Sequence, residues 1–422
     1  MLREFLKAAG LILGSSVLAQ VAVVAASPIL SRLYAPDDFG VLATASGIIS
    51  ILAIGASLRF EEVIPLIQSD RVARLATGFG LVASVLTGLA VAIPVYLFGR
   101  GAGIPVEGFV LPAFAVCVAA AVALAGAYST LTGARLRGQA FPAVARANVE
   151  RILGQLGIQL AGGLLGGGAI PLLLAKVAEK GIGIRRLWRL DPPATSARTA
   201  GRAVRHARPL LRRYRDLVGF GLLAALARGI RIGIVAPVIT IYWGVAMAGI
   251  FALAYRALVG PFILLGGAAL QAFLGVTSGR SISPGGRLSR LVLVATAGWG
   301  VATVATFLIL HQIGEPLFAW VFGPEWREAG ELAPHLAVVG ASFAFSLPLQ
   351  RLYDLWGLVR VRLALEAGYA VAVVATLIWT GGVGTPLVDA MALLAAISAL
   401  FALLTVAHIT RVRPTNLRTP SR

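Results

Sequence analysis

Ionisable side chains inside otherwise apolar runs are where this chain could do chemistry. Arg228 and Arg231 stand three residues apart in one such run, so they share a face of any helix formed there. Arg256 lies in a second run, and Arg59, followed by Glu61 and Glu62, closes a third. An ionised group at the middle of a bilayer costs about 2.5 kcal/mol or more, so it normally faces a cavity or a partner. Guanidinium forms forked hydrogen bonds to phosphate oxygens, and arginines on neighbouring helices would make an anion-binding wall. The competing reading is that they snorkel, or pair with carboxylates that lock helices together. Glu61 and Glu62 could titrate and couple the site to a proton or cation gradient, although such neighbours more often just neutralise an arginine.

Other reactive chemistry is sparse. Cys117 is the one cysteine, which excludes an intramolecular disulfide and a thiolate metal cluster. His206, His311, His335 and His408 are scattered singly, so no metal site and no metal cofactor is expected. No nucleophile with a base, paired catalytic acids or phosphate loop emerges, which argues against an enzyme and for no catalytic residues. Glu150 with Arg151, Lys176 with Glu179 and Lys180, and Arg351 with Asp354 read as structural pairs near cytoplasmic helix ends. Gly10/Gly14 and Gly163/Gly167 have the spacing of close helix contacts. Phe318, Trp320, Val321, Phe322 and Trp326, set among acids from Glu315 to Glu331, suit an interfacial helix on the outer surface.

The elements that must position these residues are membrane helices. Of 422 residues, 58% are hydrophobic and 13% charged, and the mean hydropathy is +0.87. Uncharged stretches of about 20 residues, the length that spans a bilayer, recur along the chain. The first, behind Arg3 and Lys7, imitates a secretory signal but runs uncharged to Ser31, and is expected to be a retained helix. Spans are predicted near residues 8–33, 39–65, 75–98, 108–134, 142–163, 166–186, 215–240, 245–272, 290–313, 332–357, 362–380 and 386–409. The net charge of +19 is segregated by loop. Arg71, Arg135, the run Arg185 to Arg215, Arg280, Arg360 and the tail Arg411 to Arg422 follow every second helix, and acids dominate the loops between. This places both termini in the cytoplasm and demands an even count of crossings. Parity therefore makes residues 142–186 a hairpin turning at Gly162 to Gly168 rather than one span. The basic run lacks interleaved aromatics apart from Tyr214, so anionic membrane lipid rather than nucleic acid is its expected partner.

A shift of 209 residues carries Gly10 onto Gly219, Pro28 onto Pro237, Gly40 onto Gly249, Ala43 onto Ala252 and Ala45 onto Ala254. The expected architecture is all-α and polytopic, with about twelve helices in two six-helix bundles related by a parallel repeat. The bundles are predicted at residues 1–189 and 214–410, with a basic cytoplasmic linker at 190–213 and a basic tail at 411–422.

The segments PILSRLYAPDDFGVLA (Pro28 to Ala43), SLRFEE (Ser57 to Glu62), GIFALAYRALVGP (Gly249 to Pro261) and FAWVFGPEWREAG (Phe318 to Gly330) occur in this order. Together they resemble the polysaccharide biosynthesis and export family of Wzx-type flippases, in the multidrug/oligosaccharidyl-lipid/polysaccharide exporter superfamily. Glu62 departs from the family pattern, in which the Arg-aromatic-Glu run continues into a small or apolar residue. The resemblance implies alternating-access movement of a polyprenyl-pyrophosphate-linked glycan to the outer leaflet of a bacterial inner membrane, beside a polysaccharide polymerase and a chain-length regulator. Arg59, Arg228, Arg231 and Arg256 would then hold the pyrophosphate. A cation-coupled small-molecule exporter of the same superfamily is the alternative, and a glycan polymerase or ligase is disfavoured by short outer loops.

Overall fold

Runs of Ala, Gly, Leu and Val long enough for a bilayer satisfy their own backbone hydrogen bonds as helices, the one open-chain solution in hydrocarbon. The computed structural model describes residues 2–104, 110–190, 222, 225–226, 229–230, 232–277 and 286–412. Regular structure among them is entirely helical. In chain order the helices are α1 (Leu2–Leu33), α2 (Pro36–Ala56), α3 (Phe60–Val63), α4 (Asp70–Gly101), α5 (Val110–Arg137), α6 (Phe141–Leu164) and α7 (Ala169–Leu190). There follow α8 (Val235–Trp243), α9 (Val245–Thr277), α10 (Gly286–Phe322), α11 (Arg327–Leu355), α12 (Val359–Val383) and α13 (Leu387–Arg411). Eight of the described helices are long and apolar enough to cross a membrane. The protein is a polytopic α-helical membrane protein.

The chain packs as two compact units, residues 1–249 and 250–422. In the first, α4 lies along α5, α6 along both α1 and α7, and α5 along α7. In the second, α11 lies along α10 and α13, and α12 along α13. Of the linker predicted at 190–213 and the tail predicted at 411–422, residues 191–213 and 413–422 fall outside the described residues.

The hairpin expected from charge parity is present. α6 ends at Leu164, α7 starts at Ala169, and Gly166 (φ 68°) and Gly168 (φ 59°) supply the left-handed backbone of the turn. Gly167 belongs to that turn, so of the Gly163/Gly167 pair Gly163 alone serves a close helix contact, where a Cβ would lie 2.9 Å from the Leu33 Cβ of α1, whereas a Cβ on Gly14 would meet nothing within 4 Å.

Three other expectations need correction. The second span, predicted over 39–65, ends at Ala56, where Leu58 (φ 51°) and Arg59 (φ 63°) turn left-handed and α3 starts anew. The ninth runs to Phe322 rather than 313, because Phe318 and Phe322 continue its apolar stripe past Glu315 until Gly323 (φ 114°) and Pro324 stop it. That extension absorbs the expected interfacial helix: Phe318, Phe322 and Trp326 are buried, and of its aromatics Trp320 is the exposed one.

Within the first unit, α8 and the first turn of α9 pack on α2. A Cβ on Gly40 would overlap the Val245 carbonyl, and one on Gly249 would overlap the Pro36 carbonyl. Gly40 and Gly249 are repeat mates, as are Pro36 and Val245 at the same offset of 209 residues, so the contact exchanges equivalent positions. Thr44 and Thr240 share a hydroxyl hydrogen bond beside it.

Candidate functional site

The SLRFEE segment folds as a charged corner between α2 and α3. Two successive left-handed residues without a glycine cost on the order of 1–2 kcal/mol each, so something local must hold them. Ser57 donates its hydroxyl proton to Glu61. Arg59 donates to Glu62 and lies 3.9 Å from Glu61. Arg59 is 12% exposed, and its Nε is buried without a hydrogen bond. The corner rests on α5, where a Cβ on Gly133 would come within 2.9 Å of the Glu61 Cα. Phe60 anchors it from below, its ring 4.8 Å from that of Phe79.

Of the four arginines singled out, Arg59 is thus gathered with both candidate coupling carboxylates, Glu61 and Glu62. Arg256 sits half-buried on α9, within the second unit. Arg228 and Arg231 lie outside the described residues.

The structure adds a charged cluster that the sequence offered only as separate pairs. Glu179 on α7, with 4% of its side chain exposed, receives Arg151 from α6, Lys176 at 3.0 Å and Lys180 at 3.1 Å. Arg151 also donates to the Asn148 side-chain oxygen, and Glu150 pairs with Arg186 at 3.3 Å. The Tyr128 ring of α5 lies 5.5 Å from the Arg151 guanidinium and 5.6 Å from the Lys180 ammonium. These ions sit in the middle turns of α6 and α7 rather than near helix ends, and neither helix is among the eight strongly apolar ones; pairing explains how they are carried there. Residues adjacent on a helix are visible in sequence, but the junction of Arg151 with Glu179 depends on the hairpin. The Asp354 side chain, expected to pair with Arg351, lies outside the described residues.

Arginines at the opposite helix ends serve the backbone. Arg135 donates twice to the Leu187 carbonyl, at 3.0 and 2.8 Å. Arg137 donates to the Ile67 and Gln68 carbonyls and pairs with Asp70 at 2.7 Å. These bonds satisfy carbonyls left open at helix termini and fix the loops that follow.

This architecture has known counterparts. The structure titled "Lipid II flippase MurJ, inward closed conformation" aligns with a TM-score of 0.71 at 11% identity, covering 95% of this chain and 87% of that one. An inward-facing multidrug resistance MATE family transporter of the MOP superfamily aligns with a TM-score of 0.57 at 16% identity, covering 94% and 99%. At such identities the likeness concerns the fold. No curated protein sequence matches significantly. A family model described as "Polysaccharide biosynthesis protein" matches residues 29–331, a stretch that contains the charged corner, the ion cluster of the α6–α7 hairpin and the glycine contact. With most of its length inside that match, the chain belongs to the polysaccharide biosynthesis protein family.

Proposed function

We propose that this protein is a flippase, moving a polyprenyl-pyrophosphate-linked oligosaccharide from the inner to the outer leaflet of a bacterial cytoplasmic membrane by alternating access. The observation that carries this reading is the match of a polysaccharide biosynthesis family to a chain with the fold of a lipid II flippase. A flippase must shelter an anionic, hydrated head group from hydrocarbon while the lipid tail stays in the bilayer. Arg59, Arg228, Arg231 and Arg256 are assigned to the pyrophosphate. In the resting corner Glu61 and Glu62 occupy Arg59. Binding of phosphate then competes with the carboxylates, and their protonation would release the arginine, which is the route to coupling with a proton gradient. Both termini lie in the cytoplasm on this reading, and a polymerase with a chain-length regulator takes the delivered glycan.

Deletion tests the proposal. Lipid-linked repeat units should accumulate on the cytoplasmic face, and alanine at Arg228, Arg231 and Arg256 together should reproduce the block. Normal outward delivery by the triple variant would sink the arginine assignment. The fold it shares with a multidrug transporter keeps one rival in view, a cation-coupled small-molecule exporter. Drug efflux by the purified protein in vesicles, with glycan export untouched by deletion, would favour that rival.

A further inference from the structure

Two histidine–carboxylate pairs with four-residue spacing meet in the second unit. His311 and Glu315 stand one turn apart on α10, and Glu331 and His335 one turn apart on α11. The two helices form a hairpin through Gly323 to Trp326, so they run in opposite directions. Gly314 and Gly330 let them cross closely, since a Cβ on Gly314 would lie 2.6 Å from the Gly330 carbonyl. The crossing sets Glu315 level with Glu331 near the hairpin turn, and His311 level with His335 one turn deeper. Phe307 confirms the register from below, its ring 5.8 Å from that of His311 and 5.5 Å from that of His335.

Between these pairs lies a cavity of about 390 Å³, lined by His311, Gln312, Glu315, Glu331 and His335, with Pro316 and Pro334 among its apolar walls. Its walls select their ligand in three ways. No group of three acid, histidine or cysteine side chains converges on a metal-sized point among the described residues, so the space suits an organic molecule rather than a bare ion. The Glu315 and Glu331 carboxylates flank the rim and disfavour phosphate and other anions, with Arg327, 3.9 Å from Glu315 on the exposed side, offsetting part of that charge. Carboxylate, imidazole and carboxamide together present alternating acceptors and donors, which match vicinal hydroxyl groups. The volume falls at the small end of ligand sites, the scale of one ring.

We propose that this cavity is a sugar subsite, holding one neutral or amino sugar of the transported glycan and rejecting uronic acids. The identity of the glycan rests on the flippase reading; the geometry does not. On the topology drawn from charge, the site opens toward the outer face, where the head group is delivered.

Saturation-transfer NMR on the purified full-length protein, in a detergent without a sugar head group, tests the assignment with glucose, N-acetylglucosamine, glucosamine and glucuronate. At least one of the first three should receive saturation, and glucuronate none. Glu331→Gln, isosteric at an exposed position, should weaken binding about tenfold, the effect of losing one charged hydrogen bond. His335→Ala should do the same. Equal binding by Glu331→Gln, binding of glucuronate, or no transfer to any of the four overturns the proposal. Export blocked by deletion with no sugar bound defeats the subsite alone; sugar bound with export unimpeded defeats the flippase reading alone.

Discussion

Arg59 and Glu179 carry opposite problems. Arg59 is one cation shared by two carboxylates, whereas Glu179 is one buried carboxylate shared by Arg151, Lys176 and Lys180. Removing the charge of Glu179 leaves three half-buried cations facing one another, a change of the kind that costs on the order of 3 kcal/mol. Glu179→Gln should therefore lower the thermal unfolding midpoint in detergent, and adding Lys176→Met should recover part of the loss; an unchanged midpoint would mean that some other anion balances the cluster. Glu62 is more exposed, and its ion pair is correspondingly weak. Glu62→Gln should keep the fold and tighten binding of inorganic pyrophosphate by up to about fivefold, measured by calorimetry, while Arg59→Ala should weaken it. Tighter binding in neither variant, or loss in both, would detach Arg59 from the phosphate.

Helix existence was legible because the bilayer imposes one length and one polarity on every span, and Phe141 to Leu190 shows how charge parity resolves even an ambiguous case. The break at Ser57 to Arg59 was not legible, because neither glycine nor proline marks it: Leu58 and Arg59 are held left-handed by side-chain bonds that form only once the corner exists. The extension of α10 was missed for a related reason. Glu315 looks like a loop residue until α11 is placed beside it to build a polar pocket. The four-residue spacings of His311 with Glu315 and of Glu331 with His335 were in plain sight, yet they signify nothing until the hairpin brings them together. The α6–α7 hairpin makes a direct prediction. With Cys117 replaced by serine, a single cysteine at Leu165, exposed in the turn, should react with an impermeant maleimide from outside intact cells, and one at Arg189 should react only after permeabilisation. The same sidedness at both positions would replace the hairpin with a single crossing.

For the whole molecule, the repeat matters where its mates touch. Gly40 abuts Val245 and Gly249 abuts Pro36, and all four positions belong to one register of 209 residues. Backbone-to-backbone contact of this kind has no slack, since even a methyl group on either glycine collides with a carbonyl. Such a seam between α2 and the start of α9 suits a closure that separates in one step, because packed contacts exchange between discrete arrangements rather than stretching. If the seam is the outer gate of an alternating-access cycle, Gly40→Ala and Gly249→Ala should each prise it open. A cysteine at Thr240, buried beside Thr44, should then react faster with an impermeant reagent added from outside, and transport should fall because the cycle no longer returns inward. The two substitutions should act alike, as repeat mates across one contact must. If instead the seam is static scaffold, both variants lower thermal stability while Thr240 stays shielded, and the closure must be sought elsewhere in the fold.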